Sequence, residues 1–161
     1  MLRSKDIRTL SILIAVVIAM CGCKGTKDAV SKVPERSHKF AFDFVRSEEI
    51  EPVLRLAAKE NKLIMLDVYT TWCLPCQMMD KDVFTDQATA DIINKDFISY
   101  KVDAEKGNGP RVAFNYDVVQ YPTLIFMDAN GTILSRNSGA TYHSKMLKMA
   151  ADAKILSIEL S

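Results

Sequence analysis

The sequence predicts an α/β domain: a central mixed β-sheet with helices on both faces. Three observations carry this. From residue 47 onward, helical and strand patterns alternate in the order helix, strand, helix, strand, helix, strand, strand, helix. The segments "KLIMLDVYT" (62–70) and "PTLIFMD" (122–128) are nearly continuous apolar runs, the pattern of strands buried on both faces. The last two strands flank "DANG" (128–131), a tight-turn signal that makes them antiparallel neighbours.

The first 22 residues are expected to lie outside this domain. Arg3, Lys5 and Arg8 make a positive start, and "LSILIAVVIAM" (10–20) is apolar apart from Ser11. That is the layout of a secretory signal, with an apolar stretch too short for a comfortable membrane span. "CGC" follows at once, and a cysteine at the cut resembles a bacterial lipoprotein signal, in which that cysteine takes the lipid. Gly22 supplies the preferred small residue before Cys23, so Cys23 is the expected lipidation site. Cys21, which follows Ile18 and Ala19, is the alternative. An uncleaved anchor and a plain secretory signal are the other readings. The chain is therefore expected to be extracytoplasmic, held at a bacterial membrane on its periplasmic side.

Residues 23–39 are expected to form a polar tether, because "KGTKDAVSKVPERSHK" (24–39) has no apolar periodicity. Residues 40–161 are then the folded domain. Removing residues 1–22 takes away three basic side chains and one acidic one, moving the formal net charge from +1 to −1. No basic cluster marks a nucleic-acid partner. The remaining length suits one domain with a real core. Nothing signals an oligomer, and a monomer is expected.

Each element has its own justification. "SEEIEPVLRLAAKEN" (47–61) reads as a helix capped by Ser47, acidic in its first turns, with Val53, Leu54, Ala57 and Ala58 as the apolar face. Pro52 requires that the helix start close to it. After the strand at 62–70, residues 74–94 read as helical with a break near 84–86, where Thr85 or Asp86 can cap a second piece. "FISYKVDA" (97–104) is a strand, "KGNGP" (106–110) a turn, and a short helix runs to about residue 115. After the strand pair, residues 141–157 close the chain as a helix that buries Met146, Leu147, Met149, Ala150 and Ala153.

The chemistry is concentrated in "LDVYTTWCLPCQMMD" (66–80). Cys73 and Cys76 could be a structural staple, half of a metal site or a working thiol pair. A bridge across two residues closes a tiny loop and removes little entropy from the unfolded chain, so it is a poor staple. A zinc site needs two more ligands, and the only histidines are His38, in the tether, and His143, at the start of the last helix. A CxxC between a strand and a helix reads as a redox pair. Cys73 falls at the N-terminus of the helix, where unpaired N–H groups and the macrodipole favour a thiolate. Pro75 fits an early helical position.

"TWCLPC" resembles the active site of thioredoxins. Asp67 lies six residues before Cys73, where that family carries a buried acid. "QYPT" (120–123) resembles its cis-proline loop, with Pro122 as the cis-proline, and "SGA" (138–140) resembles the glycine turn before its last helix. The likeness runs from about residue 44 to 153. "IMLDVYTTWCLPCQMMDKDVFTD" is most similar to the C-terminal thioredoxin-like domain of membrane disulfide reductases of the DsbD type, which also follow the CxxC with an acid–lysine pair and a phenylalanine, here Asp80, Lys81 and Phe84.

The resemblance implies a thioredoxin fold and a role for each residue. Cys73 is the nucleophile and Cys76 the resolving thiol. Asp67 is an acid–base group for Cys76, its carboxyl raised by desolvation. Trp72 forms a wall of the site, and Pro122 holds Tyr121 and Thr123 to pair with an extended substrate strand. No cofactor or metal is required. Three departures stand out. Thioredoxins place a lysine four residues before the aspartate that ends the third strand; here that position is Ser99, so Asp67 is expected to lack a lysine partner. Gln77 replaces a basic residue, and Leu74 replaces a glycine.

The expected function is an extracytoplasmic thiol–disulfide oxidoreductase. A protein-disulfide reductase is favoured, with oxidised proteins as substrates and a membrane electron-donating disulfide reductase as partner. A disulfide oxidase or isomerase is the enzyme alternative. A peptide-binding module with a dispensable CxxC is the alternative of a different class; a Cys73→Ser variant would separate it from an enzyme.

Overall fold

The computed structural model describes residues 35–36 and 39–160. The expected signal, Cys21, Cys23 and His38 lie outside the described residues. Six strands form one mixed sheet: β1 (Glu35–Arg36), β2 (Phe44–Arg46), β3 (Leu63–Tyr69), β4 (Phe97–Asp103), β5 (Thr123–Met127) and β6 (Ile133–Ser138), in the order β1-β2-β4-β3-β5-β6. β3 runs parallel to β4 and antiparallel to β5; β2 is parallel to β4, and β6 is antiparallel to β5. The helices are α1 (Glu51–Glu60), α2 (Leu74–Asp82), α3 (Gln87–Asp96), α4 (Gly109–Asn115) and α5 (His143–Glu159). Among the described residues, no helix is long and apolar enough to cross a membrane.

The pleat divides the core in two. On β3, Ile64, Leu66 and Val68 point to one face, where they pack with Val53, Leu56 and Ala57 of α1 and Val112 and Ala113 of α4. Met65 points to the other face, which gathers Met79 of α2, Ala90 and Ile93 of α3, and Met146 and Ala150 of α5. Burying side chains of this size contributes about 1.5–3 kcal/mol each. Asp67 is two residues after Met65 and so shares the α2 face.

The structure departs from the expected elements at the N-terminal side. β1 and β2 were not anticipated, and β1 falls inside the stretch read as tether. Phe40, Phe42 and Phe44 recur every second residue in "FAFDF", but only Phe44 lies in β2; Phe40 and Phe42 sit in the bend that leads into it. Phe42 and Phe44 are buried, with ring centroids 5.2 and 5.0 Å from that of Phe84. Ser47 does not cap α1. Its hydroxyl turns on Glu49, donating to the carbonyl at 2.6 Å and accepting the N–H at 3.3 Å, and the helix starts at Glu51 after Ile50. Its buried face is Val53, Leu56 and Ala57, whereas Ala58 is exposed. The break between α2 and α3 falls where expected, and Asp86 caps α3 by accepting the Thr89 N–H at 2.7 Å.

Candidate active site

β3 ends at Tyr69, and Thr70 to Cys73 turn the chain into α2. Cys73 is the N-cap residue of that helix: its backbone is extended, its carbonyl accepts the Cys76 N–H at 3.1 Å, and its Sγ lies 3.2 Å from the same nitrogen. Pro75 occupies the first turn, where no intrahelical N–H partner is lost. The result is a sulfur held at a helix N-terminus, the place that stabilises a thiolate. Cys73 and Cys76 are joined by a disulfide, and both residues are buried. Gln77 donates through Nε2 to the Thr71 carbonyl at 2.8 Å, which fixes the turn before Cys73 without adding charge.

The loop before β5 lies across from this turn. The Tyr121–Pro122 peptide is cis. Gly139, at φ +96°, donates its N–H to the Pro122 carbonyl at 2.7 Å, so the "SGA" turn braces the proline from behind. Thr123 is buried and its hydroxyl donates to the Gln120 carbonyl at 2.8 Å. Its side chain therefore holds the loop together. The Tyr121 ring meets Trp72 edge to face, with centroids 6.1 Å apart. This contact joins the residue before Cys73 to the residue before Pro122. Beyond Trp72, Leu74 is 66% exposed, giving the rim an apolar surface.

Asp67 is 1% exposed. The expectation that it lacks a lysine partner is wrong. Lys101 pairs with it, and the parallel register explains how. Asp67 stands directly opposite Lys101, whereas Ser99 stands opposite Met65, one pleat nearer the start of the strands. Residues two apart on a strand share a face, so Ser99 and Lys101 both point to the α2 side, and Lys101 is the one that meets Asp67. Lys101 also pairs with Asp80 of α2 at 2.8 Å, and its Nζ lies 4.1 Å from the Tyr69 ring centroid and 5.0 Å from that of Phe84. With the Phe44 ring at 6.0 Å, the ammonium has two carboxylates and three rings as neighbours.

The electrostatics follow from this geometry. Burial raises the Asp67 carboxyl above the usual carboxylate range; Lys101 pulls it back and Asp80 adds to the rise. Burial alone would lower Lys101, but Asp67 and Asp80 together hold it above its ordinary value. Asp67 Oδ2 is taken by Lys101, and Oδ1 has no hydrogen-bond partner among the described residues. A buried carboxyl with a raised pKa and a spare oxygen, behind the helix that carries Cys76, is suited to exchanging a proton. The sequence alone assigns no role to Lys101, Asp80 or Glu105. Asp80 stands in it only as part of a resemblance, and nothing in its local pattern reveals that it faces Lys101.

The site as a whole can carry thiol–disulfide exchange. It has a sulfur at a helix N-terminus, a second sulfur bonded to it as a disulfide and a buried acid near the strand end.

The chain is similar to several known proteins. The family model Thioredox_DsbH, described as "Protein of unknown function, DUF255", matches residues 47–151. The thiol:disulfide interchange protein DsbD of Pseudoalteromonas atlantica is 28% identical over 157 residues, covering 93% of this chain and 26% of that protein. The chain therefore spans about a quarter of that relative's length. A solution structure of a disulphide-isomerase candidate from Bacteroides thetaiotaomicron superposes with a TM-score of 0.62 at 35% identity, covering 73% of this chain and 96% of the other. The structure of a DsbH oxidoreductase gives a TM-score of 0.58 at 20% identity, covering 71% and 88%, a likeness of fold.

Proposed function

The chain belongs to the Thioredox_DsbH family, and from that premise we propose that it is an extracytoplasmic thiol–disulfide oxidoreductase acting as a protein-disulfide reductase. The observation that carries this reading is the Cys73–Cys76 pair at the start of α2, in front of buried Asp67 and beside the cis Tyr121–Pro122 loop.

In the reduced enzyme, the Cys73 thiolate attacks a substrate disulfide. A Cys73–substrate bond forms and one substrate sulfur leaves as a thiolate. Cys76 then loses its proton to Asp67 and attacks Cys73 Sγ. The Cys73–Cys76 bond forms, the second substrate thiolate departs, and two electrons have passed to the substrate. The described state, with the pair oxidised, is the product of that half-reaction. A membrane electron-donating disulfide reductase would restore the dithiol, and oxidised proteins would be the substrates. The DsbD-type relatives and the lipoprotein-like start at Cys23 (or Cys21) support this placement at a membrane.

The test is the reduction potential of the pair, measured against dithiothreitol or glutathione buffers. A value near about −270 mV supports a reductase, and one near about −120 mV makes the chain a disulfide donor instead. A second reading has a specific observation behind it: the Bacteroides relative at 35% identity is described as a candidate isomerase. Reactivation of a scrambled disulfide protein, without net reduction, would favour that reading.

A further inference from the structure

The turn after β4 reaches back to the active site. The Ala104 N–H donates to the Tyr69 carbonyl at 2.8 Å, which ties the turn to the end of β3. Asp103 Oδ1 accepts the Glu105 N–H at 3.1 Å, and Oδ2 pairs with Lys106 Nζ at 2.9 Å. Gly109 closes the turn so tightly that a Cβ there would lie 1.8 Å from the Asp103 carbonyl oxygen. Glu105 therefore stands on a turn locked at both ends. From it, both carboxylate oxygens accept the Trp72 indole N–H, each at 3.0 Å.

Trp72 depends on such a hold. It is 65% exposed although it directly precedes the buried Cys73. An indole nitrogen is a donor only, and an exposed aromatic side chain without a partner samples several rotamers. Here the N–H is taken by Glu105 and the ring meets Tyr121 at an interplanar angle of 80°. Three side chains from three segments thus form a continuous ridge at the mouth of the site, from the β4–α4 turn to the loop before β5.

We propose that Glu105 is a positioning residue for protein substrates: it fixes Trp72 as a preformed wall beside Cys73, against which a substrate chain packs. The proposal rests on the oxidoreductase reading above. A protein substrate touches the wall and must order it on binding if it is mobile, so release of Trp72 enters KM. A small disulfide that reaches little more than Cys73 Sγ feels the wall less.

The full chain, with dithiothreitol as reductant, is assayed on insulin and on 2-hydroxyethyl disulfide. Trp72 is the only tryptophan, so its fluorescence reports on this side chain alone. With Glu105→Ala, the loss of one hydrogen bond is expected to raise KM for insulin by about two- to tenfold. The ratio of kcat/KM for insulin to that for 2-hydroxyethyl disulfide falls, and Trp72 anisotropy gains a fast component. Glu105→Gln, whose amide oxygen can accept the same N–H, restores all three. Trp72→Phe, which keeps a ring but has no N–H, raises KM as Glu105→Ala does, and the double variant adds no further loss. Wild-type KM and anisotropy in Glu105→Ala, or no rescue by Glu105→Gln, overturns the proposal while leaving the enzyme reading intact. A wild-type chain that reduces neither disulfide removes both.

Discussion

Replacing Asp67 with asparagine is expected to make the protein more stable and the enzyme slower. Asp67 is 1% exposed, and burial raises its carboxyl despite the ion pair with Lys101. A raised pKa means that the folded state resists ionising this group, so its charge at neutral pH costs stability. Asparagine keeps the shape and removes the charge, and Lys101 retains Asp80 at 2.8 Å. Each tenfold by which folding weakens ionisation of this carboxyl is worth about 1.4 kcal/mol of stability at neutral pH, and the neutral asparagine recovers it. With a urea m-value of about 1–3 kcal/mol/M, a gain of about 2 kcal/mol moves the midpoint by roughly 1 M. The sign has a pH signature. Below the unfolded carboxyl pKa of about 3.9, the aspartate is protonated in both states and the two proteins should match. As pH rises through the raised folded pKa, the wild type loses stability and the asparagine variant does not, so the gap opens. Urea unfolding of the oxidised proteins at several pH values measures it. An Asp67→Asn protein less stable than wild type at pH 7.5, or a gap independent of pH, would refute the reasoning.

Three further outcomes follow from the same packing. Lys101→Met should act in the opposite direction, costing about 3–5 kcal/mol at neutral pH because it leaves Asp67 buried without its cation; the loss should shrink in acid, as chemical denaturation across pH will show. Asp86→Ala removes the α3 cap, and because hydrogen bonds from Thr89 hold the Asp86 carboxyl below its usual range, the stability it contributes is present at neutral pH and fades as pH falls through that lowered pKa. Thermal melts at neutral and acid pH should therefore show the variant's deficit only at the higher pH. Gly109→Ala forces a Cβ to within 1.8 Å of the Asp103 carbonyl oxygen, so the β4–α4 turn must shift; loss of the Trp72–Glu105 geometry, read from Trp72 fluorescence, and a lower melting temperature are expected together.

Legibility in the sequence followed the range of the physics involved. The α/β class, the buried strands β3 and β5, and the break at Asp86 were readable because periodicity and capping act within a few residues. Cys73, Cys76 and Pro75 were readable because the helix N-terminus that poises them is local. Lys101 was missed because its meaning depends on register between strands 34 residues apart, and counting back from Asp103 landed on Ser99, one pleat away. Glu105 was missed for the same reason: "DAEKG" reads only as the end of a strand and a turn, and its bond to Trp72 exists only after the sheet forms. β2 is a different kind of miss. Its three residues, Phe44–Arg46, are too few to show a strand period, and the alternating Phe40 and Phe42 lie in the bend before it.

The two faces of the sheet show what the site asks of the fold. On the α1 side, the buried positions of β3 and β4 are Ile64, Leu66, Val68, Ile98, Tyr100 and Val102. On the α2 side, the same strands begin with Leu63, Met65 and Phe97 and then turn polar, with Ser99, Asp67 and Lys101. Apolar side chains there would pack against α2 without desolvating a charge, and a fold selected for stability alone would have them. The polar strip instead lies at the strand ends that lead into Cys73, and Asp80 of α2 completes it from the helix side. Lys101 keeps the strip tolerable by pairing with both acids, yet leaves Asp67 Oδ1 without a hydrogen-bond partner among the described residues. The residual cost falls on one carboxyl, the one that the proposed mechanism uses to take the Cys76 proton. That is why Asp67→Asn should gain stability and lose rate together, whereas an acid kept only for structure would lose stability when neutralised.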